Sequence, residues 1–165
     1  MGANVDLQGT NTRGGFQAMH VQDVEAYNVD GGTFTEGADR TRVLNTVVLN
    51  TIVGASLASN QITLPAGTYD IQWVAPAYHI DRHWSWLYDT TGAATLLKGG
   101  ATYASDATGV ANASIGQGRF ALTAESVLEI RHRCTNGFAT QGFGVATSVA
   151  GYDSIYTDVV IRKVG

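Results

Sequence analysis

Apolar and polar residues alternate with a period of two along most of this chain. In "HVQDVEAY", from His20, alternation begins at Val21; "TRVLNTVVLNTI", 41–52, is rich in β-branched residues. "NQITLPAGTYDIQWVA", 60–75, reads as two alternating runs around a Pro-Ala-Gly turn, and "HWSWLYD", 83–89, alternates until it breaks at "TTG". "GRFALTAESVLEIRHRC", 118–134, is two runs around "AES", and "TDVVIRKVG" closes the chain. Side chains one apart point to opposite faces of a strand, so each run predicts a strand with one buried face. The 20 glycines are spread widely enough to interrupt an apolar stripe of helical period. About eight to ten short strands separated by turn signals predict an all-β sandwich or barrel with almost no helix.

Residues 1–15 are polar, glycine-bearing and weakly periodic, and read as a flexible N-terminal arm; residues 16–165 read as one continuous domain. "SDATGVANASIGQG", 105–118, is the longest run of small and polar residues and predicts a long surface loop, as does "TNGFATQGFG", 135–144. A chain of 165 residues can bury roughly 70% of its unfolded surface.

Composition narrows the chemistry. Hydrophobic residues make up 44% and charged residues 15%, which favours a folded chain. A net charge of −4 argues against duplex nucleic acid as a partner, because phosphate binding needs a basic footprint. No apolar run is long enough to insert in a membrane, and no secretory leader pattern is visible. The single cysteine, Cys134, permits no internal disulfide and reads as a small buried residue; one thiol and no export signal fit synthesis in a reducing cytoplasm.

Catalytic patterns fail in turn. The chain has no GxGxxG, no phosphate loop and no GxSxG. His79 and His83 share a face of an extended segment, but the glutamate of a zinc-protease motif is missing. Pro65 and Gly67 match the turn of a cupin motif, yet Asp70 follows where a histidine ligand would stand. Asp81, Asp89, Glu125 and Glu129 read as scattered, solvated carboxylates. The expectation is a non-enzymatic protein without metal or cofactor.

The order of these segments resembles a C1q/TNF-like jelly roll, and more closely the compact β-domains of bacteriophage fibre, spike and other virion proteins. "SLASNQITLPAGTYDI", 56–71, carries the resemblance most specifically: a strand ends at proline and the next begins Gly-x-Tyr. "LYD…LLKG" and the closing "IRKV" support it. The resemblance implies a two-sheet jelly roll of about ten antiparallel strands that forms a homotrimer and carries no catalytic site. It also implies a virion protein, synthesised in the bacterial host cytoplasm, joined to other virion proteins through its N-terminal arm and binding a host cell-surface glycan. A lectin-like or adhesion module with no virion role is the alternative. In a trimer one sheet would face the threefold axis, with small, apolar or aromatic residues and few charges.

The tryptophan-rich stretch holds the candidate site. Tyr69, Ile71 and Trp73 share one face and are expected in the core. In "HWSWLYD", His83, Ser85 and Leu87 oppose Trp84, Trp86 and Tyr88. If Leu87 points inward, the three aromatics leave the core. Exposed rings cost several kcal/mol at roughly 25 cal/mol per Å². Trp84, Trp86 and Tyr88 are therefore expected at a contact surface, a subunit neighbour ahead of a sugar, unless the rings themselves are core.

Overall fold

The computed structural model describes residues 16–164. Twelve β-elements, all paired antiparallel, form two sheets, and no helix occurs among the described residues. The strands are β1 (Ala18–Glu25), β2 (Arg40–Thr41), β3 (Thr46–Asn50), β4 (Ser56–Ala58), β5 (Gln61–Leu64), β6 (Gly67–Tyr78), β7 (Asp81–Asp89), β8 (Ala94–Lys98), β9 (Thr102–Ala104), β10 (Ala111–Leu122), β11 (Ser126–Cys134) and β12 (Ser154–Lys163). One sheet is five-stranded, in the order β10-β6-β12-β1-β3. The other is seven-stranded: β4-β5-β11-β7-β8, with β2 beside β11 and β9 beside β7. The arm expected over residues 1–15 lies outside the described residues.

Alternation explains the packing. The inward set of β6 (Tyr69, Ile71, Trp73, Ala75) meets Leu87 of β7 and Leu128 and Ile130 of β11 across the sandwich. The expected core face of "TYDIQW" is thus the observed one: Tyr69 and Trp73 are fully buried. The proline–glycine turn is locked locally. The Tyr69 hydroxyl donates to the Pro65 carbonyl at 2.8 Å, and a Cβ on Gly67 would lie 3.3 Å from the same ring.

Two expected loops behave differently. Residues 111–118 are not loop but the first two-thirds of β10, paired residue for residue with β6. Their small size serves the core: a Cβ on Gly116 would lie 1.9 Å from the Trp73 ring, and Ser114 is fully buried. Low hydrophobicity at these positions means space ceded to a large neighbour. The 135–144 segment packs inward as well. Phe138 forms a bridge with Phe34, and Phe143 joins a second buried cluster with Phe34, Ala77, Ile80, Ala104 and Cys134 at one end of the sandwich.

Neither sheet presents the nearly uncharged outer face expected at a threefold axis. Outside the five-stranded sheet, Asp158 pairs with His20 (2.6 Å) and Asp70 with Arg119 (2.7 Å), and the shallow groove there, of about 660 Å³, also touches Gln72, Gln117, Val160 and Arg162. These positions alternate with the core set, so what leaves the core here is mixed polar and aliphatic. Among the described residues no helix is long and apolar enough to cross a membrane.

Candidate functional site

Strand β7 is central in the seven-stranded sheet, between β11 on one side and β8 and β9 on the other. Its inward set is His83, Ser85 and Leu87, each fully buried. Trp84, Trp86 and Tyr88 therefore stand on the outer face, with Arg82 completing the row by alternation.

Ser85 faces inward because it is bonded there. The Trp73 indole N–H donates to Ser85 Oγ at 2.8 Å, Ser85 Oγ lies 2.8 Å from Ser114 Oγ, and Ser114 Oγ donates to the Gly100 carbonyl at 2.7 Å. Because the Ser114 hydroxyl proton is committed to Gly100, Ser85 is the donor of the middle link. This buried chain crosses from one sheet to the other. It fixes the register that turns the two tryptophans outward.

The neighbouring strands supply what covers the rings. On β11, Arg133, Arg131 and Glu129 lie opposite Trp84, Trp86 and Tyr88. On β8, Lys98 lies opposite Trp86 and Thr95 opposite Tyr88; on β9, Tyr103 lies opposite Arg82. The Arg131 guanidinium sits 3.5 Å from the Tyr88 ring centroid and its Nε donates to Glu129 at 2.9 Å. Arg133 donates to Asp39 at 3.2 Å and to the Gly37 carbonyl. A weakly hydrated guanidinium over an aromatic face is attractive in itself. On the same face Trp86 is 9% exposed and Trp84 37%.

Glu129 holds this face together. Burial alone would raise its carboxyl, but hydrogen bonds from Gln61 (2.7 Å), Arg131 and Thr41 (3.0 Å) outweigh that and hold it below the ordinary carboxylate range. Glu129 is therefore an organised acceptor and not the scattered, solvated carboxylate its sequence position suggested. Asp89 is no more solvated, since its carboxylate accepts the N–H groups of Thr91 and Gly92 in the turn after β7.

Two shallow clefts flank Trp84. One, of about 300 Å³, is lined by Asp39, Trp84, Trp86, Thr95, Lys98 and Arg133. The other, of about 410 Å³, is lined by Trp84 with Arg82, Thr102, Tyr103 and Thr135 among others. Trp84 is the wall they share.

The two histidines read together in the sequence are separated. His79 lies in the β6–β7 turn with its ring stacked on Phe138, centroids 4.3 Å apart. His83 points inward, and its Nδ1 lies 2.9 Å from Nε2 of His132. The outer nitrogens of this pair, His83 Nε2 and His132 Nδ1, are buried without a partner. Burial pushes His83 down to about 4, with the nearby Arg42 charge adding to it, and His132 is driven further below its ordinary value. Arg42 is itself fully buried, donating to Thr157 Oγ1 and to the carbonyls of Pro76 and Phe143. Cys134 is buried as expected, and burial raises its thiol to about 11. No group of three or more His, Cys, Asp or Glu residues is placed to hold a metal ion among the described residues.

Reading the sequence alone identifies Trp84, Trp86 and Tyr88 but misses Arg82, Lys98, Tyr103, Arg131 and Arg133. The alternation of "EIRHRC" does put both arginines opposite His132. Which strand lies beside β11, and in what register, is set only by pairing.

No family model matches the chain, and no curated protein matches it by sequence. Its backbone is similar to solved structures. Eiger TNF from S. frugiperda superposes with a TM-score of 0.59 at 15% identity, over 91% of this chain and 93% of that one. Murine APRIL at pH 5.0 gives 0.58 at 11% identity, over 90% and 99%. The globular domain of zebrafish complement 1qA gives 0.51 at 14% identity, over 89% and 94%. The fold is a C1q/TNF-like jelly roll.

Proposed function

We propose that this chain is a non-enzymatic binding domain that assembles as a homotrimer and serves as a virion part, either a fibre or spike head or a capsid-decorating knob. In this reading it contacts the host surface through the outer face of β7, with Trp84, Trp86 and Tyr88 as the contact residues. The observation that carries the reading is that face: a row of aromatic rings interleaved with cations, on the outside of a fold whose inner side chains are committed to packing. Aromatic rings stack on the apolar faces of sugars, and jelly rolls are common lectin scaffolds. The resemblance of the 56–71 hairpin and closing strand to phage fibre and spike domains favours a virion setting over a free-standing adhesion module. The arm, residues 1–15, would join the domain to the rest of the particle.

Trimerisation is assigned to the other sheet. Its His20–Asp158 hydrogen bond and Arg119–Asp70 ion pair are satisfied within one chain, leaving Val74, Val160 and Ile115 available to pack against a neighbour. A closed ring would cover this face while leaving β7 outward. Co-purification with particles tests the virion setting: the protein found only free in lysates would favour the adhesion module. A glycan array on the purified protein tests host-surface recognition, and light scattering tests the trimer.

A further inference from the structure

The reading of the β7 face as a binding face leaves its ligand class open, and the charges around Trp84 narrow it. Arg82, Lys98, Arg131 and Arg133 stand on this face of a chain whose net charge is −4. Arg131 and Arg133 are committed to Glu129 and Asp39. Lys98 and Arg82 have no carboxylate within ion-pair distance among the described residues. One lies in each cleft, and the clefts meet at Trp84. Each compartment therefore has the same parts: a face of Trp84, a second aromatic ring (Trp86 or Tyr103), and one uncommitted cation.

Resting on that reading, we propose that the face binds an anionic oligosaccharide along β7, with a sugar on each side of Trp84 and its carboxylate or sulfate groups at Lys98 and Arg82. Outward positions along a strand recur about every 6.8 Å, so a chain reaching from Arg82 to the Lys98–Trp86 pair must exceed a disaccharide. The Asp39–Arg133 pair presents an acceptor beside a donor, which suits the hydroxyls of a sugar.

Titration of the full-length protein, read by tryptophan fluorescence, tests this with defined probes: a sulfated heparin-type hexasaccharide, a hyaluronan hexasaccharide, their disaccharides, neutral cellohexaose and a single-stranded oligothymidylate. At least one anionic hexasaccharide should bind more tightly than cellohexaose, and more weakly as salt is raised. Lys98→Met and Arg82→Met should each weaken it roughly tenfold while leaving cellohexaose unchanged, and Trp84→Ala should abolish both. Equal binding of cellohexaose and the anionic sugars, unmoved by Lys98→Met, would overturn the anionic ligand while leaving the binding face standing. A disaccharide that binds as well as its hexasaccharide, with Arg82→Met silent, would overturn the two-compartment arrangement. Tighter binding of oligothymidylate would overturn the saccharide assignment. No binding of any probe at millimolar concentration would overturn both the ligand class and the face. Circular dichroism confirms that each surface variant is folded.

Discussion

Gly116 and Trp73 occupy one site between them. The indole fills the space in which a residue-116 side chain would stand, since a Cβ there would overlap ring carbons at 1.9 Å. The ring cannot yield, because its N–H is tied to Ser85 at 2.8 Å in the bonded chain through Ser114 to Gly100. Overpacking of a close-packed core costs about 1–3 kcal/mol, and more where the neighbour is fixed. Gly116→Ala is therefore expected to lose about 3 kcal/mol or to fail to fold, measured by urea denaturation. Arg42 is the opposite case, a charge kept inside by its partners. Burial lowers it to about 9, so it stays protonated at neutral pH, with its N–H groups on Thr157, Pro76 and Phe143. Removing it strands two buried carbonyls and opens a cavity. Arg42→Ala should cost about 3–5 kcal/mol in the same measurement.

Strand β7 shows how one element serves two masters. Its odd positions belong to the interior and its even positions to the surface, and pairing with β11 puts arginines across from the tryptophans. Exposed aromatics would cost several kcal/mol in water, and the Arg131 guanidinium offsets part of that cost at Tyr88 by lying over its ring. The double change Trp84→Ser with Trp86→Ser should therefore leave a folded protein, destabilised by about 1–3 kcal/mol, with its oligomeric state intact and its adhesion to cells lost. Circular dichroism, light scattering and a cell-binding assay read the three parts separately. Loss of folding would mean that the rings act as core, and a folded monomer would make this face the subunit interface. Strand β10 illustrates the same rule. Residues 111–118 look like a loop in sequence because the inward Ser114 and Gly116 are small, and Gly116 leaves room for the Trp73 ring of β6.

At the scale of the whole molecule, the buried histidine pair makes stability depend on pH. His83 titrates near 4 in the folded chain against 6.5 unfolded, and His132 is shifted in the same direction. Between these values the unfolded chain binds more protons, so the histidines' contribution is full above about pH 6.5 and is lost as pH falls toward 4. Asp23 opposes them. Burial raises it to about 6 despite the Arg42 charge, so the folded chain takes up its proton first and gains stability on acidification over the same range. Two histidines oppose one aspartate, so the unfolded chain holds the excess of protons between about pH 6 and 4 and stability falls as the pH drops through that range. Thermal melts across that range should show stability falling with pH, and His83→Leu with His132→Leu should reverse the slope. The assembly is tested on the five-stranded sheet. Val160→Glu adds a charge where subunits are proposed to meet, and light scattering should show monomers in place of trimers.

Period-two alternation, interrupted by turns, is a local property, and it was enough to determine the class of fold, most strand positions and the two faces of β6 and β7. The hairpin at Pro65–Tyr69 is equally local, because the tyrosine bonds back to the proline carbonyl four residues earlier. Pairing decided the rest. His83 meets His132 across 49 residues and Ser85 meets Ser114 across 29, and no periodicity encodes such partners. The same holds for the face around Trp84, where β7 supplies the rings, β11 two arginines and β8 a lysine. Alternation could set Trp84, Trp86 and Tyr88 against His83, Ser85 and Leu87, but the bonds of Ser85 to Trp73 and Ser114 decided which set leaves the core. What covers them, and what they can bind, depends on which strands become neighbours and in which register, and a one-residue slip would have put every one of those side chains on the other face.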